Sequence, residues 1–121
     1  MEGHTYNFEK LEIWNLAIDL TIEIYNCTSK FPETEKYGIV NQLRRASSSI
    51  TANIAEGSTR LSERDRGRFI QIAFGSAIEV LNFLILSNRL HFITDEALEA
   101  FRIKISKLTN KINAYHKFVM K

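Results

Sequence analysis

The feature that most constrains this chain is a stripe near its C-terminus. Leu98, Phe101, Ile105, Leu108, Ile112, Tyr115 and Val119 recur at alternating steps of three and four. Only an α-helix brings positions spaced this way onto one face, and the 3.5-residue average is that of helices packed side by side. An amphipathic helix of this length gains most of its stability from burying its stripe, so the rest of the chain must supply helical partners.

It supplies three. A first helix is expected over about residues 8–29. Leu11, Trp14, Ile18, Thr21, Tyr25 and Thr28 form one row of three-and-four steps, and Ile13, Ala17, Leu20, Ile24, Cys27 and Phe31 form another. Two apolar rows are more than one bundle seam needs, so the second row is expected to meet another subunit. A second helix is expected over about 33–56, opened by Pro32, with Val40, Leu43, Ser47, Ile50 and Ile54 as its core row. Gly57 stands where a left-handed glycine would end it. A third is expected over about 62–89, with Ser62 as N-cap and Glu63 and Asp65 in its first turn. The fourth, about 95–119, carries the stripe, with Thr94 or Asp95 as its cap.

No segment alternates with period two, and one proline and five glycines leave long helices unbroken. The expected fold is therefore all-α: one antiparallel up-down-up-down four-helix-bundle domain over residues 1–121. A chain of this length buries about two thirds of its unfolded surface, enough for a core without staples.

The chemistry that can be sought in the sequence is mostly missing. His4, His91 and His116 lie far apart, and none stands at ligand spacing from another histidine or a cysteine. No Glu-x-x-His pair, phosphate-binding glycine loop or nucleophile elbow occurs. The expectation is no catalytic site, no metal and no cofactor. Cys27 is the only cysteine and falls in an apolar pattern, which fits a reducing compartment. The N-terminus has no apolar signal region, and the apolar run Phe69 to Leu86 is interrupted by Gln71, Ser76, Glu79 and Asn82. That run reads as a buried helix rather than a membrane span, and the chain as cytoplasmic.

Two polar features stand out. On the second helix Gln42, Arg45, Ser49, Asn53 and Glu56 share a face, and the third helix offers Arg68, Ser76 and Glu79. An antiparallel register about a turn near residue 62 sets Arg45 level with Glu79 and Glu56 level with Arg68. Two interhelical ion pairs are expected, with Ser49 and Asn53 bonding between them as a structural network. The other feature is basic. Arg60, Arg64 and Arg66 cluster at the start of the third helix, and Lys104, Lys107 and Lys111 line the fourth. These six are the candidate nucleic-acid contacts. Charge is also segregated: residues 1–40 carry seven acids and three bases, residues 101–121 six bases and no acid. Such segregation implies complementary contacts between helices or chains, or a face for an anionic partner.

The run Gln42-Leu43-Arg44-Arg45-Ala46-Ser47-Ser48-Ser49-Ile50, followed by Asn53-Ile54-Ala55-Glu56-Gly57, resembles the signature of a bacterial four-helix-bundle family. Its members are encoded in intervening sequences of large-subunit ribosomal RNA genes. Phe8-Glu9-Lys10-Leu11 with Trp14 and Ala17, Phe31-Pro32 with Glu35, Tyr37 and Gly38, and Phe69 through Ile72-Ala73, Gly75-Ser76 and Glu79 extend the likeness over about residues 6–95. The resemblance implies a cyclic pentamer. It also implies kinship with the accessory protein of diversity-generating retroelements, a basic pentamer that binds nucleic acid and a reverse transcriptase. The charge of this chain, +2, is closer to balance than theirs.

The expected function is a non-enzymatic homo-oligomeric module that binds itself and, through its basic faces, RNA or a nucleic-acid-processing protein. The alternatives are a protein adaptor without nucleic-acid contact and a small ligand-binding or catalytic bundle near Arg45, Asn53 and Glu79.

Overall fold

A computed structural model describes residues 3–121. Four α-helices follow one another: α1 Glu12–Thr28, α2 Ile39–Gly57, α3 Glu63–Arg89 and α4 Asp95–Val119. Short connections make sequential helices antiparallel neighbours. Contact is most extensive between α2 and α3, and thinnest across the α1–α4 seam that closes the bundle. The backbones of α1 and α3 do not approach one another, nor do those of α2 and α4, so each pair lies on a diagonal. This is the up-down-up-down bundle that the periodicity predicts.

The core follows the stripes. Leu98, Phe101, Ile105, Leu108, Ile112 and Val119 of α4 are all buried, with Leu43, Ile50 and Ile54 of α2 and Ala73, Ala77, Val80 and Leu84 of α3. In α1 it is the row Ile13, Ala17, Leu20 and Ile24 that enters the core, while Ile18 is half-buried and Tyr25 exposed. The surplus row is thus the opposite of the one expected. The reason is size: small Ala17 lets α1 sit close to its neighbours, and bulky Trp14 and Tyr25 are left at the rim.

Two helix starts also differ from expectation. α1 begins at Glu12, after a separate 3₁₀ turn over Asn7–Lys10 and an extended Leu11 with φ −75° and ψ 131°. The Asn15 amide donates to the carbonyls of Glu9 and Leu11 at 3.0 and 2.9 Å, which fixes the break. α2 begins at Ile39, after a 3₁₀ turn over Glu33–Glu35 and an irregular Gly38. Phe31 packs on Phe92, ring centres 5.4 Å apart, so the chain dips into the core before α2 can start.

The later boundaries obey their caps. The Ser62 hydroxyl accepts from the Asp65 amide at 3.1 Å, and Thr94 accepts from the Ala97 amide at 3.1 Å. α3 ends without glycine: His91 takes the left-handed conformation, φ 66°, and the Phe92 amide reaches back to the Ser87 carbonyl at 2.8 Å. Gly57 is not a left-handed cap. It is the last residue of α2, buried, and no described glycine has a positive φ. Its use is close approach, because a Cβ there would lie 3.0 Å from the Cβ of Phe69.

Candidate functional site

The predicted polar network exists at its centre and fails at its ends. Ser49 of α2 and Ser76 of α3 share a hydrogen bond at 2.9 Å, and the Asn53 amide donates to the Ser49 hydroxyl at 3.0 Å and to its carbonyl at 2.8 Å. Neither interhelical ion pair forms. Glu56 turns along its own segment to Arg60 at 3.5 Å, and Arg68 to Asp65 at 3.3 Å. Gln42, Arg45 and Glu79 are exposed, and among the described residues Arg45 and Glu79 have no ion-pair partner. The small residues that let α2 and α3 close up around Ser49, Ser76 and Gly57 push the long side chains to the rim. There a partner one turn along the same chain costs less ordering than one across the groove.

The predicted cationic residues divide into working parts of the fold and free charges. Arg60 stacks on Phe69 with its guanidinium 4.5 Å from the ring centre, and Arg68 stands over the same ring at 4.8 Å. Arg66 donates to the carbonyls of Arg60 and Leu61 at 2.9 and 3.0 Å, closing the α2–α3 turn. Lys104 pairs with Glu23 of α1, and Lys111 with Glu12 at 3.1 Å. Lys107 lines a groove beside Asp19 and Glu23. The segregated charges of the sequence therefore meet across the α1–α4 seam: the acidic row of α1 covers the basic row of α4. Arg64 remains exposed with no ion-pair partner among the described residues.

Topology adds cations that the sequence reading did not group with Arg64. The α4 C-terminus comes back beside the α3 N-terminus, where His116 and Met120 lie against Gly67. Lys117 and Lys121, both exposed, thus stand at the same end of the bundle as Arg60, Arg64 and Arg66. No sequence spacing signals this, because the two segments are half the chain apart.

Arg44 belongs to the signature run Gln42 to Ile50, but no spacing in the sequence shows its partners. Its guanidinium lies 4.5 Å from the Tyr25 ring centre and donates to the Thr28 hydroxyl at 2.9 Å, pinning α2 to α1. Thr21 adds a bond to the Ser47 carbonyl at 3.1 Å.

The buried hydroxyls of Thr28, Ser47 and Ser87 bond to carbonyls of their own helices, and that of Ser76 to Ser49. No cluster of three or more metal-ligating side chains occurs among the described residues. Burial pushes the Cys27 thiol above its ordinary pKa, with Lys30 pulling weakly the other way. A raised value makes it a poor nucleophile at neutral pH. The main surface hollows lie elsewhere than Arg45, Asn53 and Glu79.

The fold has a solved counterpart. A crystal structure of a protein of unknown function from the S23 ribosomal protein family of Bacteroides thetaiotaomicron superposes with a TM-score of 0.77. It is 23% identical, and the match covers 87% of this chain and 98% of that one. No match to a curated protein was found. The family model described as 23S rRNA-intervening sequence protein matches residues 9–114. With nearly its whole length matched and the four-helix architecture in place, the chain belongs to the 23S rRNA-intervening sequence protein family.

Proposed function

We propose that the chain is a non-enzymatic, homo-oligomeric interaction module of the cytoplasm, assembled as a pentamer, which takes up RNA through one cationic end of its bundle. The observation that carries the self-association is the inequality of its sides. The α1–α4 seam is closed by ion pairs, while Ile22 and Tyr25 of α1 and Ile72, Ile78 and Leu86 of α3 remain partly exposed, at 42–54%. Apolar rows of this kind on a folded domain mark surfaces that a partner covers. The hydroxyls locked into helices and the raised Cys27 pKa support a non-catalytic role.

RNA uptake is supported by Arg64, Lys117 and Lys121, exposed at one end of the bundle, a set of cations suited to phosphates. A second reading, a protein adaptor without nucleic-acid contact, is favoured by the carboxylates on Lys104, Lys111, Arg60 and Arg68, which neutralise much of the predicted basic surface.

Light scattering at low and high salt, with and without a large-subunit ribosomal RNA fragment, tests both. The expected result is a pentamer that takes up RNA at low salt and releases it at high salt. A pentamer indifferent to RNA selects the adaptor. A single chain at every condition removes the proposal.

A further inference from the structure

The α3 helix is more apolar than its burial explains. Its most apolar 18 residues have a mean hydropathy of 1.9, yet 39% of that stretch is buried. The uncovered part is a broad outward face on which Ile72, Ile78 and Leu86 are 42%, 46% and 44% exposed, interleaved with exposed Gln71, Glu79 and Asn82. Gly75 stands in the middle of it. A Cβ added at Gly75 would meet nothing within 4 Å, and the residue has no positive φ. Apart from proline, glycine is the poorest residue for a helix interior. Neither the backbone nor any neighbour in the protomer needs one here. A close approach of another backbone from outside does need one.

A second uncovered row lies on α1, where Ile22 and Tyr25 are 54% and 44% exposed. The α2 helix separates the two rows. They differ in shape: the α3 row has a notch at Gly75 between two isoleucines, and the α1 row has projecting side chains. They also match in charge. Glu79, one turn along α3 from the notch, and Arg45, on the adjoining α2, are exposed and without ion pairs among the described residues. Asp19, exposed and without an ion pair among the described residues though it shares a groove with Lys104 and Lys107, and Arg44, stacked on Tyr25, flank the α1 row. A surface bearing both signs around an apolar centre suits another copy of this chain better than a polyanion or a bilayer.

We infer that the α3 row around Gly75 of one copy receives the Ile22–Tyr25 row of α1 from a second copy. The two faces are unlike, so the contact is head-to-tail: every copy gives one face and takes the other, and the series ends by closing into a ring. This inference rests on the self-association proposed above and names the surfaces that perform it.

The test uses Gly75→Gln and Ile22→Lys, with circular dichroism and thermal melting as the control for fold. Neither position is buried in the protomer, and glutamine is the better helix former. Each variant alone is expected to sediment as a single chain of 14.0 kDa, and an equimolar mixture as a two-chain species and no larger. The mixture stops there because one intact junction remains and both outer faces are blocked. If either folded variant keeps the wild-type mass, the face it alters is not the contact. If both become single chains but the mixture does not pair, the faces are not complementary to each other. If wild-type protein floats with neutral phosphatidylcholine vesicles and Gly75→Gln does not, a bilayer covers the row. Each of these outcomes overturns the inference while leaving self-association standing. A wild-type protein that is itself a single chain overturns the underlying reading instead.

Discussion

The hydroxyls of Ser49 and Ser76 meet at 2.9 Å between α2 and α3, a side-chain hydrogen bond across the most extensive helix contact in the bundle. Ser76 is buried, and Ser49 also receives the Asn53 amide at 3.0 Å. Replacing Ser76 by Ala leaves Ser49 one partner, so the expected loss is about 1 kcal/mol in urea denaturation. Ser76→Leu forces bulk into the closest part of the bundle and is expected to cost about 1–3 kcal/mol. A double-mutant cycle on Ser49→Ala and Ser76→Ala that shows no coupling would deny the bond any part in pairing the helices.

Gly57 and Gly67 face α3 and α4 at the same end of the bundle, and alanine should affect them oppositely. At Gly57 the new methyl meets the Phe69 Cβ at 3.0 Å, an atom fixed to the α3 backbone. The helices must part, at about 1–3 kcal/mol, which outweighs the gain of about 1 kcal/mol from a better helix former. At Gly67 the obstacles are the Met120 and His116 side chains, and Met120 is 43% exposed just past the end of α4. Those side chains can swing aside, so Gly67→Ala is expected to be neutral or stabilising. Thermal melts of the two variants that shift in the same direction would contradict this.

The success and failure of sequence reading share one cause. Stripes such as Leu98 to Val119 and caps such as Ser62 are local, and their periods and side chains are written in adjacent residues. The register of α2 on α3 was legible to within about a residue, because Ser49 does find Ser76. What was not legible is which long side chain wins a partner at the rim. Arg45 and Glu79 stand level in that register and do not pair, and Lys104 and Lys111 read as an open basic row in the sequence but are held by Glu23 and Glu12. Such pairs are worth little each, so no strong local signal selects them. Gly57 shows the same limit: its position marks a helix end, but only the packed Phe69 shows that closeness rather than backbone freedom requires it.

His91 is a β-carbon-bearing residue in the left-handed region, φ 66°, at the end of α3. Glycine occupies that conformation without the side-chain clash. His91→Gly is therefore expected to stabilise the bundle by about 1 kcal/mol, read as a rise in urea midpoint at unchanged slope. A loss of stability would mean that the exposed imidazole makes a contact worth more than the strain.

Cys27 gives the fold a weak alkaline sensitivity. Its thiol pKa is raised in the folded chain by burial. In the unfolded chain the thiol ionises at lower pH. Above that pH the unfolded state holds fewer protons than the folded one, so stability falls as pH rises toward the folded pKa. Below the ordinary thiol range both states are protonated and the contribution is fully present. Cys27→Ser or Cys27→Ala should remove this part of the alkaline slope. In the wild-type protein, labelling by a maleimide at pH 8 should be slower than in the urea-unfolded chain. Equal rates would place the thiol in open solvent.

The two cationic regions should respond differently to charge reversal. Lys104 and Lys111 pair with Glu23 and Glu12, so reversing both sets like charges against each other across the thinnest seam. Both lysines are 38–50% exposed, and solvent screening holds the loss of each attraction below about 1 kcal/mol. The expected result is a small, salt-sensitive drop in melting temperature. Reversing Arg64 and Lys117 instead removes exposed charges with no ion-pair partner among the described residues, and the melting temperature should hold. If RNA is taken up at the end of the bundle, this second pair of substitutions weakens it and flattens its salt dependence, because fewer phosphates are neutralised. The seam pair should leave that slope nearly unchanged. The reverse pattern, with RNA affinity following Lys104 and Lys111, would mean that their carboxylate partners yield to phosphate and that the RNA face is the α1–α4 seam.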